Sequence, residues 1–215
     1  LTGAARSEEP RVVVSIKPVH ALAAALLDGV AEPRLLLDGA ASPHSYALRP
    51  SERRALQQAD TVIWVGPELE SFLVKPLSVL PADVRIVRLL ADTPGLEHLP
   101  LAEHEHEGHD HDHEQHHDHG HDHGEAHGHG ASAMDDPHIW LSPANARAIA
   151  RHLADVLAPW VPEERLRQNA TELDRRLEEL ETALAGQLAP VQDRPFVVFH
   201  PAYGYFVKAF GLHQA

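Results

Sequence analysis

The sequence predicts an α/β fold built on a mostly parallel sheet. Short apolar runs rich in β-branched residues recur along the first 90 residues, and segments with helical spacing of apolar residues separate them. Buried parallel strands have such continuous apolar runs, and strands alternating with helices are typical of βαβ units. With 215 residues, 43% of them hydrophobic, the chain is long enough to form one or two domains with a real core.

The first part of the chain carries four predicted strands with helices between them. The strands are predicted at residues 11–16, 34–37, 61–65 and 84–89. The helices are predicted at residues 19–30, 51–59 and 68–80. Ser51 supplies an N-cap signal for the second helix. Residues 38–50 are rich in Gly, Ala, Ser and Pro and are predicted to form a loop.

The last part of the chain carries two longer helices. Pro143 behind Ser142 indicates a helix start, and this helix is expected to reach about residue 157. Residues 163–188 repeat leucines at three- and four-residue steps, which predicts one apolar face on a helix roughly 39 Å long. A helix of this length is typical of a bundle or of a rigid strut between two lobes. A buried strand and a short helix are then predicted at residues 196–199 and 203–210.

Composition excludes several classes of function. The chain contains no cysteine, so disulfides, thiolate metal sites, a cysteine nucleophile and lipid attachment through cysteine are excluded. No stretch of about 18 apolar residues indicates a membrane span. The net charge is −14, with no basic patch that would favour nucleic acid as a partner. Leu1–Arg6, at the start, lack the apolar core of a signal peptide.

Residues 103–130 form a low-complexity acidic segment, predicted to be a disordered loop. This tract alternates imidazole with carboxylate groups and contains no lysine or arginine. Its histidines are predicted to form a secondary metal loop of low affinity, because flexible sites lose ordering entropy on binding. The alternative is a solvated insert without a metal-binding role. The tract histidines are His104, His106, His109, His111, His113, His116, His117, His119, His121, His123, His127 and His129.

Three single histidines stand out by their positions. His44 lies in the loop after the second predicted strand, His138 precedes a predicted helix, and His200 ends the last predicted strand. In open α/β folds, ligands gather at the carboxyl ends of strands. A lone histidine there is more often a turn or capping residue, but the nearby tract makes metal handling the leading interpretation. The other four histidines are predicted to be structural or surface residues: His20, His98, His152 and His213.

The chemistry of three imidazoles favours zinc. Neutral imidazole suits Zn²⁺, which prefers four ligands, so three histidines leave one position for water or a carboxylate. Manganese would favour more carboxylate, whereas copper and nickel are not excluded by ligand type. Three histidines and a water also form a catalytic arrangement, so a zinc hydrolase or hydratase is an alternative. The sequence contains no HExxH motif and no obvious general base beside the three histidines.

Four motifs around these histidines carry a family resemblance. They are SPHSYALRPS at residues 42–51, WVGPELE at 64–70, DPHIWLSP at 136–143 and FHPAYGYF at 199–206. With them the sequence closely resembles the ZnuA family, zinc-specific solute-binding proteins of ABC transporters within the cluster A-I metal-binding group. The resemblance implies two α/β lobes joined by a long rigid helix. It also implies that His44, His138 and His200 ligate Zn²⁺ in the cleft between the lobes.

The resemblance also implies a biological setting. We expect a carrier, not an enzyme, that captures Zn²⁺ in the periplasm and delivers it to an inner-membrane ABC permease. A removed signal peptide and a monomeric state are expected, with a periplasmic zinc chaperone as a further candidate partner. Manganese relatives carry a carboxylate at the position of His200, which favours zinc over manganese. A manganese or copper carrier on the same scaffold stays an alternative. The expected divisions are an N-terminal lobe (1–142), a helical segment (143–190) and the start of a C-terminal lobe (191–215).

Two departures from the family pattern bear on the fourth ligand. Some zinc members have glutamate immediately before the first histidine ligand, whereas this sequence has Pro43. Family members also continue well beyond the motif at residues 210–212, so we expect the C-terminal lobe to be incomplete in this chain. The fourth ligand is then expected to be water, or a carboxylate from sequence that this chain does not contain.

Overall fold

A four-stranded parallel sheet forms the centre of the molecule. The structure, a computed structural model, describes residues 9–38, 42–101 and 134–215. The strands are β1 (Val12–Val14), β2 (Arg34–Leu35), β3 (Thr61–Trp64) and β4 (Arg85–Arg88). Their order in the sheet is β2-β1-β3-β4, and every pairing is parallel. The predicted α/β fold with a parallel sheet is therefore confirmed.

Seven α-helices surround or follow the sheet in the described residues. They are α1 (Lys17–Leu26), α2 (Pro50–Gln58), α3 (Val74–Ser78), α4 (Leu89–Asp92), α5 (Pro143–Leu157), α6 (Glu163–Leu188) and α7 (Gly204–Phe210). Short 3₁₀ helices lie at Ser71–Leu73, Ile139–Leu141 and Ala189–Val191. None of the helices in these ranges is both long enough and apolar enough to cross a bilayer.

The core lies where the sheet meets α1 and α5. The central strands β1 and β3 are buried along their whole length, which explains their uninterrupted apolar sequences. Leu26 of α1 and Leu153 of α5 are fully buried in the same hydrophobic cluster. This continuous core fixes the carboxyl edge of the sheet, which precedes the loops that matter for the site.

The long helix α6 packs on the lobe mainly through its first half. Leu173 is buried there, and the Asn169 side chain donates hydrogen bonds to the carbonyls of Leu26 (2.9 Å) and Asp28 (3.0 Å). Towards the other end, Leu180 is 54% exposed. The predicted bounds of this helix, residues 163–188, are confirmed. The helix therefore leads away from the first lobe towards the residues that follow it.

The helix predicted at residues 68–80 was wrong in extent. The structure has a 3₁₀ turn at Ser71–Leu73 and the short helix α3 instead. The Glu70 carboxylate accepts hydrogen bonds from the backbone N–H groups of Val65 (2.9 Å) and Gly66 (3.0 Å), which closes a turn after β3. Pro76 has no backbone N–H, so it cannot donate the hydrogen bond that a continuous helix over residues 68–80 would need at this position.

The strand predicted at residues 196–199 was also wrong. Only an isolated parallel bridge joins Phe196 to Gln214, and the side chains of Val197 and Phe199 are exposed. A strand needs a hydrogen-bonded neighbour along its length, and none is present among the residues that the structure describes. The described residues after α6 hold one α-helix and no sheet, so the second lobe is incomplete here, as predicted.

Candidate metal centre

Three histidines from distant parts of the chain meet at one point. His44, His138 and His200 each offer a ring nitrogen, and these atoms all lie within 4.8 Å of one another. Their ring centroids are 5.2–5.6 Å apart. Within ranges 9–38, 42–101 and 134–215, no other group of three histidine or acidic residues is close enough to hold an ion.

The loop that carries His44 is fastened to α2. The Tyr46 hydroxyl donates to Glu52 Oε1 at 2.8 Å, and the Arg49 N–H donates to Glu52 Oε2 at 2.7 Å. The ring of Tyr46 also packs edge-on against Phe72, with centroids 5.4 Å apart. Glu52 is buried, so these contacts hold the loop against the lobe while the side chain of His44 remains exposed.

His138 is the buried member of the group and comes directly before a 3₁₀ turn. Its Nδ1 lies 2.6 Å from Asp136 Oδ1, and its backbone N–H donates to the same oxygen at 2.9 Å. The ring of Trp140 stands 5.5 Å away, edge to face. One ring nitrogen is therefore engaged with Asp136, and Nε2 remains available for an ion.

His200 lies between the Phe196 bridge and α7. The N–H of Ala202 donates to the carbonyl of His200 at 2.8 Å, which closes a tight turn just before the helix. The side chain of His200 is exposed. It reaches the other two histidines because α7 packs against the first lobe through the buried side chain of Tyr205.

Burial and the two neighbouring rings favour the neutral form of His44. Burial lowers the pKa of His44, and the nearby rings of His138 and His200 lower this pKa further. Neutral imidazole is the form that binds a metal ion. A cation among the three rings would be attracted to the lone pairs of their unprotonated nitrogens.

The family of the chain follows from its sequence match. Residues 12–215 match the model of ZnuA, described as the periplasmic component A of a zinc-uptake complex. The chain belongs to this family. The matched residues include the four motifs noted in the sequence and the three histidines.

Relatives within the ZnuA family cover nearly the whole chain. The high-affinity zinc uptake system protein ZnuA of Brucella abortus is 42% identical over 224 residues, 97% of this chain and 67% of its own length. The protein of the same name from Paracoccus denitrificans is 45% identical, covering 98% of this chain and 67% of its own length. The chain thus spans about two thirds of the length of these relatives.

A solved structure shares the fold. The Zn(II)-bound ZnuA-like domain of Streptococcus pneumoniae AdcA superposes with a TM-score of 0.70 at 23% sequence identity. The alignment covers 96% of this chain and 66% of that domain. This chain therefore shares the fold of about two thirds of that domain.

The three histidines named from the sequence are brought together by the structure, but the partner of His138 was not predicted. The motif at residues 136–143 contains Asp-Pro-His, and the two-residue spacing would have signalled a carboxylate next to the ring. Of the other histidines, His20 contacts the carbonyl of Pro33 at 2.7 Å and lies outside the group. The twelve tract histidines lie outside the described residues.

Proposed function

We propose that this chain binds Zn²⁺ with high affinity through His44, His138 and His200, for import. The main support is the convergence of these three imidazoles. Each histidine is more than 60 residues from the next one in the sequence. Three neutral imidazoles match the ligand preference of zinc and leave a fourth position for water or a carboxylate. The names of the relatives, high-affinity zinc uptake proteins, support the same cargo.

The family supports a proposal for the cellular role. We propose that the zinc-loaded chain works in the periplasm and delivers the ion to the permease of an inner-membrane ABC transporter. The description of the family as a periplasmic component of a zinc-uptake complex supports this setting. A signal peptide removed on export, a monomeric carrier and loading by a periplasmic zinc chaperone complete the proposal.

The histidine-rich tract has a separate proposed role. We propose that its twelve histidines collect zinc at lower affinity than the ordered group, because a flexible segment loses conformational entropy whenever it wraps an ion. Support comes from its composition: histidines alternate with carboxylates, and nine of the 32 acidic residues of the chain lie there.

Two rival functions use the same three histidines. A manganese or copper carrier would differ only in the ion, and a zinc hydrolase or hydratase would use a water at the open position. The acid nearest to the group in sequence, Asp136, is engaged with Nδ1 of His138 instead of facing the open position as a base. The metal content of protein purified without added metal separates the carriers, and turnover of ester or CO₂ substrates would favour the enzyme.

Competition titration against a chelator tests the ligand assignment. His138→Ala should weaken tight zinc binding by more than the roughly 10- to 100-fold that loss of a supporting residue costs. His213→Ala is the matched control, because His213 is exposed and does not belong to the group. The zinc affinity of this variant should equal that of the wild type. An unchanged tight site in His138→Ala would refute the assignment.

A further inference from the structure

The group of three histidines is supported by a carboxylate that does not itself reach the other rings. Asp136 Oδ1 accepts two hydrogen bonds from one residue, the backbone N–H and Nδ1 of His138. Both side chains are almost closed to solvent, with 4% of Asp136 and 7% of His138 exposed. Because Oδ1 already accepts the backbone N–H, the geometry favours a ring proton on Nδ1 as its second donor.

We propose that Asp136 is a positioning residue of the metal site: it fixes the tautomer and the ring orientation of His138. The proposal rests on the zinc site proposed above. A carboxylate on Nδ1 presents Nε2 as the free ligand atom and makes the ring a stronger base towards the ion. Because the backbone N–H of His138 binds the same oxygen, the carboxylate fixes the main chain and the ring together.

Asp136 is itself held by the helix that follows His200. The Tyr205 hydroxyl donates to the carbonyl of Asp136 at 3.0 Å and accepts the N–H of Leu99 at 3.1 Å. Burial raises the pKa of Tyr205 to about 12, so the hydroxyl keeps its proton for this bond. A Cβ added at Gly204 would stand only 3.3 Å from Asp136 Oδ2, so the absence of a side chain lets α7 approach closely.

This arrangement links two of the three histidines. His200 lies four residues before Gly204, and α7 touches the residue that orients His138. The contact therefore sets the segment carrying His200 against the support of His138. A neighbouring pair gives the contrast: Asp135 and His98 also lie 2.8 Å apart, but 44% and 43% of these side chains are exposed, and neither belongs to the group.

Zinc affinity is the first readout, measured on the whole chain by chelator competition. Asp136→Ala removes both hydrogen bonds and should weaken zinc binding about 10- to 100-fold. Asp136→Asn keeps an oxygen acceptor without the charge, so its zinc affinity should lie between those of Asp136→Ala and the wild type. Because asparagine has nearly the same shape as aspartate, this variant also controls for a general folding defect. Asp135→Asn is the matched control and should bind zinc as the wild type does.

The ring tautomer is the second readout, because a purely structural role would not change it. Nitrogen-15 NMR of the metal-free protein at pH 8 should place the His138 proton on Nδ1 in the wild type. In Asp136→Ala nothing holds the proton there, so the tautomer signal should shift. Zinc affinity equal to the wild type in both Asp136 variants, or a proton that stays on Nδ1 in Asp136→Ala, would overturn the proposal.

The two readouts separate this proposal from the proposed function. Should the wild type lack a tight zinc site, the proposed function fails, while the tautomer measurement on metal-free protein still decides whether Asp136 orients His138. Should the wild type bind zinc tightly and the Asp136 variants bind equally well, only the positioning role fails.

Discussion

At the scale of single residues, Glu70 is a buried carboxyl outside the metal centre. It is fully buried in the turn after β3 and accepts the backbone N–H groups of Val65 and Gly66. Burial raises its pKa to about 7, although these two hydrogen bonds act in the opposite direction. Burial outweighs the hydrogen bonds because the ionised form loses its hydration in the core.

The raised pKa of Glu70 predicts a pH-dependent stability. Between about pH 4.5 and pH 7 the folded chain holds a proton on Glu70 that the unfolded chain has released. The free energy of unfolding should therefore fall across this range as the pH rises, by about 2–3 kcal/mol from this group. Glu70→Gln stays neutral and keeps an oxygen acceptor. Its free energy of unfolding should therefore not show this decrease, and it should be more stable than the wild type at pH 8.

Urea unfolding at pH 5 and pH 8 measures the effect, with a chelator present so that metal binding does not contribute. All other titratable groups are the same in both proteins, so the difference between the pH profiles of the wild type and Glu70→Gln isolates Glu70. Glu179→Gln, an exposed change on α6, should follow the wild-type pH profile. Parallel profiles for the wild type and Glu70→Gln would contradict the account.

At the residue scale, the sequence named three histidines that the structure brings together, but it did not predict the partners of buried side chains. His44, His138 and His200 could be named because each stands beside a predicted strand or helix end, where open α/β folds place ligands. Two features could not be predicted: the hydrogen bond between Asp136 and His138, and the burial of Glu70. Both depend on the path of the loops that carry these residues. The hydrophobic pattern of a sequence does not specify that path.

At the scale of elements, α6 is attached to α1 by one buried amide. Asn169 satisfies the carbonyls of Leu26 and Asp28 at the carboxyl end of α1, where helix carbonyls lack partners within the helix. Asn169→Ala should lower the free energy of unfolding by about 1–3 kcal/mol, because two carbonyls lose their donor in a buried place.

A second change on the same helix controls for helix propensity. The Thr171 hydroxyl bonds to a carbonyl of its own helix and is exposed, so Thr171→Ala should alter stability by no more than about 0.5 kcal/mol. Urea unfolding measures both variants. Equal effects for the two variants would show that the amide does not attach α6 to α1.

Helix bounds were predictable where local signals were complete. The start of α5 was predicted because Pro143 can occupy the first helical turn and Ser142 can cap it, and Ser142 Oγ does accept the Asn145 N–H at 3.2 Å. The segment at residues 196–199 has the composition of a strand but lacks a paired neighbour in the described residues. Strand composition alone does not supply that neighbour.

At the scale of the whole molecule, the tract enters and leaves the fold at paired residues. The Leu101 N–H donates to the Met134 carbonyl at 2.7 Å, and the Asp136 N–H donates to the Leu99 carbonyl at 2.8 Å. A bridge between Pro100 and Asp135 joins the two segments that flank the tract, residues 99–101 and 134–136, here called the stems. The stems are thus tied to each other and, through Asp136, to the residues beside His138.

Paired stems predict that the tract can be shortened without loss of the fold. A short Gly-Ser linker in place of residues 103–130 should leave the circular dichroism spectrum and the melting temperature close to those of the wild type, because closing a shorter loop costs no more entropy. Total zinc bound at saturation, measured by equilibrium dialysis, should fall while one tight equivalent remains. Loss of the tight equivalent would contradict separate roles for the tract and the ordered histidines.

The sequence also predicts domain boundaries at residues 142 and 190, and these stay predictions. The α/β class and the parallel sheet were predictable because buried strands and amphipathic helices alternate with distinct periods. The convergence of three histidines was predictable only as a hypothesis, since it depends on how the residues after α6 fold back onto the first lobe.

The most direct measurement is a chelator competition titration of zinc into the chain with the shortened tract. We expect one tight equivalent of zinc, retained in His213→Ala and absent from the variant that combines His44→Ala, His138→Ala and His200→Ala. A tight equivalent that persists in the combined variant would contradict the assignment of zinc binding to these three histidines.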